Sequence, residues 1–180
     1  MKRSISLGLV MLLVLMATRC LAEDISQTKT AGPYRVKLEL LPPEPFSTAK
    51  QVSAGEAKSG MLILGGAEPV QPDAPSHPNH HLVVHVFDKA TNKALTNANV
   101  KLSYQALDSS GKPAGTRQDV PVVRMQMIST GAMGAMSGMS GMAGDSTTHY
   151  GNNVSLAPGD YRVLAIANGH RASFIIKVAE

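Results

Sequence analysis

The chain has 180 residues, with 17 basic and 13 acidic side chains and a formal net charge of +4 at pH 7. Hydrophobic residues make up 43% of it, aromatic residues only 4%, and there is one cysteine, Cys20. A single cysteine excludes an intrachain disulfide framework and a cysteine-rich metal site. The length is that of one domain with a core large enough to fold unaided.

Residues 1–22 have the pattern of a secretory signal peptide. A basic start precedes an apolar run from residue 7 to residue 17, which is too short for a comfortable membrane span. Cleavage is expected after Ala22. A lipoprotein signal processed at Cys20 is the alternative, although Arg19 directly before it fits that processing poorly.

Removal of this segment changes the charge balance. It takes away three basic residues, Lys2, Arg3 and Arg19, and no acidic ones, so residues 23–180 carry 14 − 13 = +1. A nearly neutral domain without a basic stripe gives no electrostatic reason to expect binding to nucleic acid or to an anionic membrane surface. We therefore expect a secreted protein with no nucleic-acid partner, which is not embedded in the membrane after signal removal.

The remaining chain is predicted to be a flexible lead-in, 23–32, followed by one domain, 33–180. Apolar residues in that domain alternate with polar ones in short runs bounded by turn residues, a pattern typical of β-strands. The predicted strands are 34–41, 61–66, 80–88, 100–107, 119–129, 153–156, 161–167 and 171–179. Seven or eight such strands, without helical periodicity after the signal, predict an all-β fold: an antiparallel β-sandwich of immunoglobulin-like architecture.

A methionine-rich loop, 131–145, interrupts the strands. Four methionines stand three apart among glycines, alanines and serines: Met133, Met136, Met139 and Met142. His149 follows seven residues after the last. A surface loop is expected, because ordering a glycine-rich segment costs much backbone entropy. The segment has too few large side chains for their burial to offset that cost. Thioether sulfur suits Cu(I) and imidazole suits copper, zinc, iron and nickel, so this is interpreted as a metal loop; a low-complexity linker is the alternative.

Histidines provide the other candidate ligands. Four of them lie at the head of the predicted strand 80–88: His77, His80, His81 and His85. His81 and His85 share a face but stand about 13 Å apart at ~3.3 Å per residue, so only one of them is expected to share an ion with His149. His170 lies in a predicted hairpin that could carry it to one end of the sandwich. A single histidine is ordinarily solvated or hydrogen-bonded.

Motifs of enzyme active sites are missing from the sequence. It has no cysteine nucleophile after signal removal, no glycine-framed serine, no phosphate loop and no zinc-protease helix motif. Its acidic residues are scattered singly in turns and on polar strand faces, as is typical of solvated charge. We therefore expect a protein that is not an enzyme.

The stretch from Ser146 to Ala167, STTHYGNNVSLAPGDYRVLAIA, resembles the periplasmic high-affinity metal-binding proteins associated with bacterial ferrous-iron uptake. The resemblance rests on Met142, on His149 of a His-Tyr-Gly motif seven positions later, and on the Pro-Gly turn and Tyr-containing strand that follow. It implies an immunoglobulin-like sandwich, usually a homodimer, that binds copper and acts in iron acquisition. An inner-membrane metal transporter is the expected partner.

Carried over to this chain, the resemblance implies Met142 and His149 as direct matches. It implies His81 as the strand histidine and His170, by position alone, as the C-terminal one. The family has acidic residues on the strand where this chain has Val83 and His85, which weakens the inference to a second, iron-binding position. The complete predicted metal set is His81, Met142, His149, His170, His85 and Met139, with copper favoured over iron or zinc. Met133 and Met136 are expected, like Met139, to capture ions on the loop.

Two other functions stay open. One is a secreted immunoglobulin-like protein-interaction module whose Met-rich segment is a linker or a contact strip. The other is an oxidative-stress role with methionines as sacrificial targets. A second similar group, small secreted sandwich domains found beside heavy-metal efflux systems, leaves import, efflux and storage as alternatives within the metal-binding hypothesis.

Overall fold

The computed structural model describes residues 25–57, 59–74, 77–128 and 148–179. The predicted signal peptide and the predicted loop 131–145, with Met139 and Met142, lie outside the described residues. Within these ranges, no helix has both the length and the apolar character needed to span a membrane.

Eleven strands and one short helix form the described part of the chain. In order they are β1 (Ile25–Ala31), β2 (Tyr34–Leu41), β3 (Phe46–Ser47), α1 (Ala49–Ser53), β4 (Met61–Gly66), β5 (His80–Asp88), β6 (Val100–Ala106), β7 (Gln118–Val120), β8 (Val123–Met127), β9 (His149–Val154), β10 (Gly159–Ala167) and β11 (His170–Val178). One sheet has the order β1-β2-β5-β9-β8-β4-β3 and the other β11-β10-β6-β7. Adjacent strands are antiparallel except β3 and β4. The prediction of an all-β sandwich is confirmed.

The main core lies between the two sheets and follows the alternation in the sequence. Val36 and Leu38 of β2 are completely buried and belong to the same cluster as Phe174 and Ile176 of β11 in the opposite sheet. The polar residues between them, such as Lys37, face outward. Burying one such large apolar side chain contributes about 1.5–3 kcal/mol, so this alternation specifies which face of each strand turns inward.

The segment expected to be a flexible lead-in is instead mostly a strand. β1 pairs with β2 over its whole length, from Ile25 opposite Leu40 to Ala31 opposite Tyr34. The side chain of Gln27 also donates a hydrogen bond to the carbonyl of Ile175 on β11, which ties this edge to the other sheet. β1 has no apolar periodicity and could not be predicted from it. Backbone pairing with β2 and polar side-chain contacts with β11 hold this strand in place.

Two predicted strands also differ from the observed ones. The run 119–129 forms β7 and β8, which belong to different sheets. Pro121 lies between them and has no N–H to donate to a ladder, so the chain leaves one sheet there and joins the other. The predicted strand 153–156 is the end of a longer one, β9, in which every residue from His149 to Val154 is buried. His149 therefore lies in an interior strand of the seven-stranded sheet.

Candidate metal centre

The outer face of the seven-stranded sheet, which turns away from the other sheet, carries a second and smaller buried patch. Its apolar members are Phe46, Met61, Val83, Val123 and Met125. Phe46 begins β3 and belongs to the segment 42–47, hereafter the cover. The cover reaches this face, since Phe46 packs against the ring of His81 and the backbone N–H of Glu44 donates to Asn153. It excludes water from the side chains beneath it.

Strand register brings three histidines together on this face. β5 and β9 are antiparallel, with His81 opposite Asn153 and Val84 opposite Tyr150. The next step of the same register places His85 opposite His149. His81, His85 and His149 are named the histidine cluster.

His149 contacts both of the other rings. Its ring centroid is 5.2 Å from that of His85 and 6.0 Å from that of His81. Two imidazoles that bind one tetrahedral ion through nitrogen–metal bonds of about 2.0–2.1 Å place their centroids about 5 Å apart. Both strand histidines therefore lie next to His149, and which of them shares an ion with it stays a prediction. Although His81 and His85 stand far apart along β5, His149 projects from the neighbouring strand between them.

Each residue of the His-Tyr-Gly motif has a separate structural role. His149 faces outward into the cluster, and Tyr150 faces the main core, where its hydroxyl donates a hydrogen bond to the carbonyl of Leu95 at 2.8 Å. Gly151 faces outward between the two histidine positions on β5. A Cβ there would collide with the carbonyl oxygen of Leu82, so only glycine permits this close approach of β5 and β9.

Asn153 fixes the orientation of His81. The amide nitrogen of Asn153 donates to the carbonyls of Glu44 and Val70, both at 2.8 Å, and its Oδ1 accepts from the backbone N–H of Glu44 at 3.2 Å. The same Oδ1 lies 2.8 Å from Nδ1 of His81. Because that oxygen can only accept, Nδ1 of a neutral His81 carries the proton and Nε2 carries the lone pair.

Nε2 of His81 is the atom of the cluster best prepared to bind a metal. It is buried and has no hydrogen-bond partner among the described residues. The whole side chain is 0% exposed, with Phe46 of the cover packed against its ring at 5.8 Å. Metal-binding histidines usually donate their other ring N–H to a carboxylate or carbonyl oxygen, as Nδ1 does here to the oxygen of Asn153.

His85 has a carboxylate partner on the neighbouring strand. Its Nε2 is 2.6 Å from Glu39 of β2, and Lys37 contacts the other carboxylate oxygen at 2.6 Å. The side chain of His85 is 13% exposed, so it forms the open edge of the cluster. In the sequence Glu39 is typical of a solvated charged residue, and no pattern along a single strand could link it to a histidine on the neighbouring strand.

The surroundings favour neutral imidazoles. Burial lowers the pKa of His81 to about 4, because the raising effect of the hydrogen bond to Asn153 is smaller and the neighbouring His85 lowers it further. Burial also lowers the pKa of His85, against the raising effect of Glu39. The pKa of Glu39 is itself lowered: burial raises it, but Lys37 and His85 together outweigh that effect. Neutral imidazole is the form that binds metal ions.

A methionine lies on the other side of His149. β8 pairs with β9 so that Met125 is directly opposite His149 and therefore on the same face. Met125 is 0% exposed. The sequence allows Met125 to be either core filler or a ligand, and only the register shows that it is next to the cluster.

The remaining predicted ligands are not brought to the cluster within the described residues. His170 packs edge-on against Tyr34, with ring centroids 5.6 Å apart. Tyr34 begins β2, whereas His81 is opposite Leu41 at its end, about 23 Å away at ~3.3 Å per residue. Met139 and Met142 lie outside the described residues.

The three rings do not form a closed set of ligands. Within 25–57, 59–74, 77–128 and 148–179, no three His, Cys, Asp or Glu side chains converge closely enough to hold a metal ion. Within the cluster, the ring of His149 contacts the other two rings and Nε2 of His81 carries a buried lone pair. Met125 lies next to His149. A copper-type ion fits this chemistry of neutral nitrogen and sulfur donors, whereas Ca²⁺ and Mg²⁺ need oxygen ligands.

The chain matches no protein-family model, no curated protein and no solved structure.

Proposed function

We propose that this protein binds one copper ion in the histidine cluster and acts in periplasmic metal uptake or homeostasis without catalysing a reaction. His81 and His149 are the imidazole ligands and Met142 the thioether ligand. The observation that carries the proposal is the buried Nε2 of His81, held by Asn153 in the tautomer that binds metal and packed beside His149.

The environment favours a singly charged ion. Moving charge from water into a buried site is costly, and the cost rises steeply with the charge of the ion. Neutral imidazoles and a thioether offset little of it, and Glu39, a carboxylate at the cluster's edge, already pairs with Lys37 and His85. Cu(I) therefore suits the site better than Cu(II), Zn(II) or Fe(II) does.

The open edge gives His85 a different role from the two buried ligands. Its partial exposure and its contact with His149 make it the first imidazole that an arriving ion meets. Glu39 holds the ring by accepting a hydrogen bond from Nε2–H, so that Nδ1 carries the lone pair of the neutral form. On this proposal His85 passes the ion to His149 and His81 and is not essential for retention.

Competition for Cu(I) with a chromophoric chelator tests the proposal. The chain 23–180 should retain one Cu(I) at pH 7, and His149→Ala should weaken binding at least 100-fold. His80→Ala is the matched control, since His80 is next to His81 on β5 but faces the other side of the sheet, and it should leave the affinity unchanged. Binding of Cu(I) by His149→Ala with the affinity of the unaltered chain would contradict the proposal, as would no binding by the unaltered chain.

A further inference from the structure

A methionine is exposed on the same sheet face, beyond the histidine cluster. Met127, at the end of β8, has 57% of its surface accessible to solvent and is one of two large apolar side chains so exposed in the described part of the chain. Because it is exposed, this thioether contributes little burial free energy to the fold, but soft ions in solution can reach it.

A second methionine stands directly opposite Met127. β4 and β8 are antiparallel with Met61 opposite Met127, and Met61 is only 1% exposed. Directly opposed residues share a face and have Cβ atoms about 4.5–5.5 Å apart. Because methionine is unbranched and rotates about three side-chain bonds, both sulfur atoms can turn towards one ion lying between them.

A third methionine connects this pair to the histidine cluster. Met125 is two residues before Met127 on β8, so the two side chains share a face. It belongs to the same buried cluster as Met61 and is directly opposite His149. On the outer face, Met127 thus places a sulfur atom at the surface and Met61 places one beneath it. Met125 places a third sulfur atom beside the imidazole of His149.

We propose that Met61 and Met127 form a second site, separate from the histidine cluster, for a soft monovalent cation of the Cu(I) or Ag(I) class. Both ligands are neutral and polarisable, which suits soft ions and gives hard cations such as Mg²⁺ no oxygen to bind. The exposed position of Met127 leaves one side of the bound ion open to solvent. Met125 continues the row of sulfur ligands towards His149.

Ion binding by the Met61–Met127 site is expected not to depend on pH. Thioether sulfur does not bind protons in the range where carboxylates and imidazoles titrate. Acidification from pH 7 to pH 5 therefore leaves the Met61–Met127 site intact. The second site stands on its own geometry, whether or not the histidine cluster holds copper.

Residue-resolved NMR of the chain labelled with ¹³C at the methionine methyl groups tests the inference. Silver nitrate is added in chloride-free buffer at pH 7 and again at pH 5, with the backbone amide spectrum reporting that the fold is kept. The methyl signals of Met61 and Met127 should shift together with one common saturation point at both pH values. The signals of Met133 to Met142 are followed separately.

Met61→Leu tests whether the two sulfurs act together, because leucine conserves the volume and removes only the thioether. It should weaken the Ag(I) response of Met127 at least tenfold, whereas the control Ile63→Leu, on the same strand, should not. A Met127 signal that shifts unchanged in Met61→Leu would overturn the paired site. If neither methyl signal shifts, Met61 and Met127 do not bind the ion and the proposed site is wrong. Failure of the proposed copper site would appear separately, as unchanged histidine ring signals while the two methyls still shift.

Discussion

The core between the sheets and the buried patch on the outer face of the seven-stranded sheet are built from different kinds of residue. The core between the sheets is composed of apolar side chains and tyrosines. The outer patch buries His81, His149 and Asn153 beside Phe46 and the methionines. Burying polar groups contributes little net stability even when they are hydrogen-bonded. The first region therefore stabilises the fold, and the second holds a specific arrangement of donor atoms within it.

Truncating the main core should have the largest effect on stability. Phe174 is completely buried between the sheets, so Phe174→Ala should lower the free energy of unfolding by about 3–5 kcal/mol. Urea denaturation followed by circular dichroism measures this. A loss below about 1 kcal/mol would mean that the sandwich does not depend on this core, and the contrast with the outer patch would fail.

Acid should destabilise the metal-free protein through the outer patch. The unfolded chain binds a proton at His81 below pH ~6.5, whereas the folded chain does so only near its lowered pKa of about 4. The unfolded state therefore binds more protons in this window, and stability falls as pH falls from about 6.5 to about 4, by about 3 kcal/mol. Urea denaturation at several pH values should show this slope, and His81→Leu should flatten it; an equal slope in both proteins would rule out His81 as its source.

Removing the amide beneath the cover should loosen the outer patch without disturbing the main core. Asn153→Ala leaves the partly buried carbonyls of Glu44 and Val70 and the buried ring of His81 without their partner. We expect a loss of about 2–3 kcal/mol, and a 10–100-fold loss of Cu(I) affinity because His81 is no longer oriented.

The control for this change is Gln105→Ala, which removes an exposed side-chain hydrogen bond to the carbonyl of Gly115. It should alter stability by less than about 0.5 kcal/mol. If Asn153→Ala lowers stability but leaves Cu(I) affinity intact, Asn153 supports the cover and not the ligand.

The smallest expected effect is that of Glu39. Because the Glu39 pairs with Lys37 and His85 are partly solvated, Glu39→Gln should cost less than about 1 kcal/mol of stability. It should slow Cu(I) loading severalfold in stopped-flow measurements, with little change in final affinity. Glu56→Gln, at an exposed position, is the control. Equal loading rates in both variants would mean that Glu39 has no role in Cu(I) loading.

The sandwich could be predicted from the sequence because its core depends on alternation along single strands. Residues such as Val36 and Leu38 are apolar at every second position, and the face that they bury is the face that the pattern indicates. β1 could not be predicted in this way, since Gln27 holds it to the other sheet through a polar contact.

The candidate site could be predicted only in part, because it depends on the register between strands. His81 and His149 were identifiable as residue types, but their contact follows from the pairing of β5 with β9. The two asparagines of β9 are typical of a turn, yet Asn152 and Asn153 are both buried and bind the backbone of distant loops. Such long-range polar contacts leave no periodic pattern in the sequence.

X-ray absorption spectroscopy at the copper edge, on the chain 23–180 loaded with one equivalent of Cu(I) at pH 7, tests whether the histidine cluster binds copper. We expect a mixed shell of imidazole nitrogen and sulfur, with the imidazole scattering strongly reduced in His149→Ala. A shell of sulfur alone, unchanged in that variant, would show that the methionines hold the ion and would contradict copper binding at the histidine cluster.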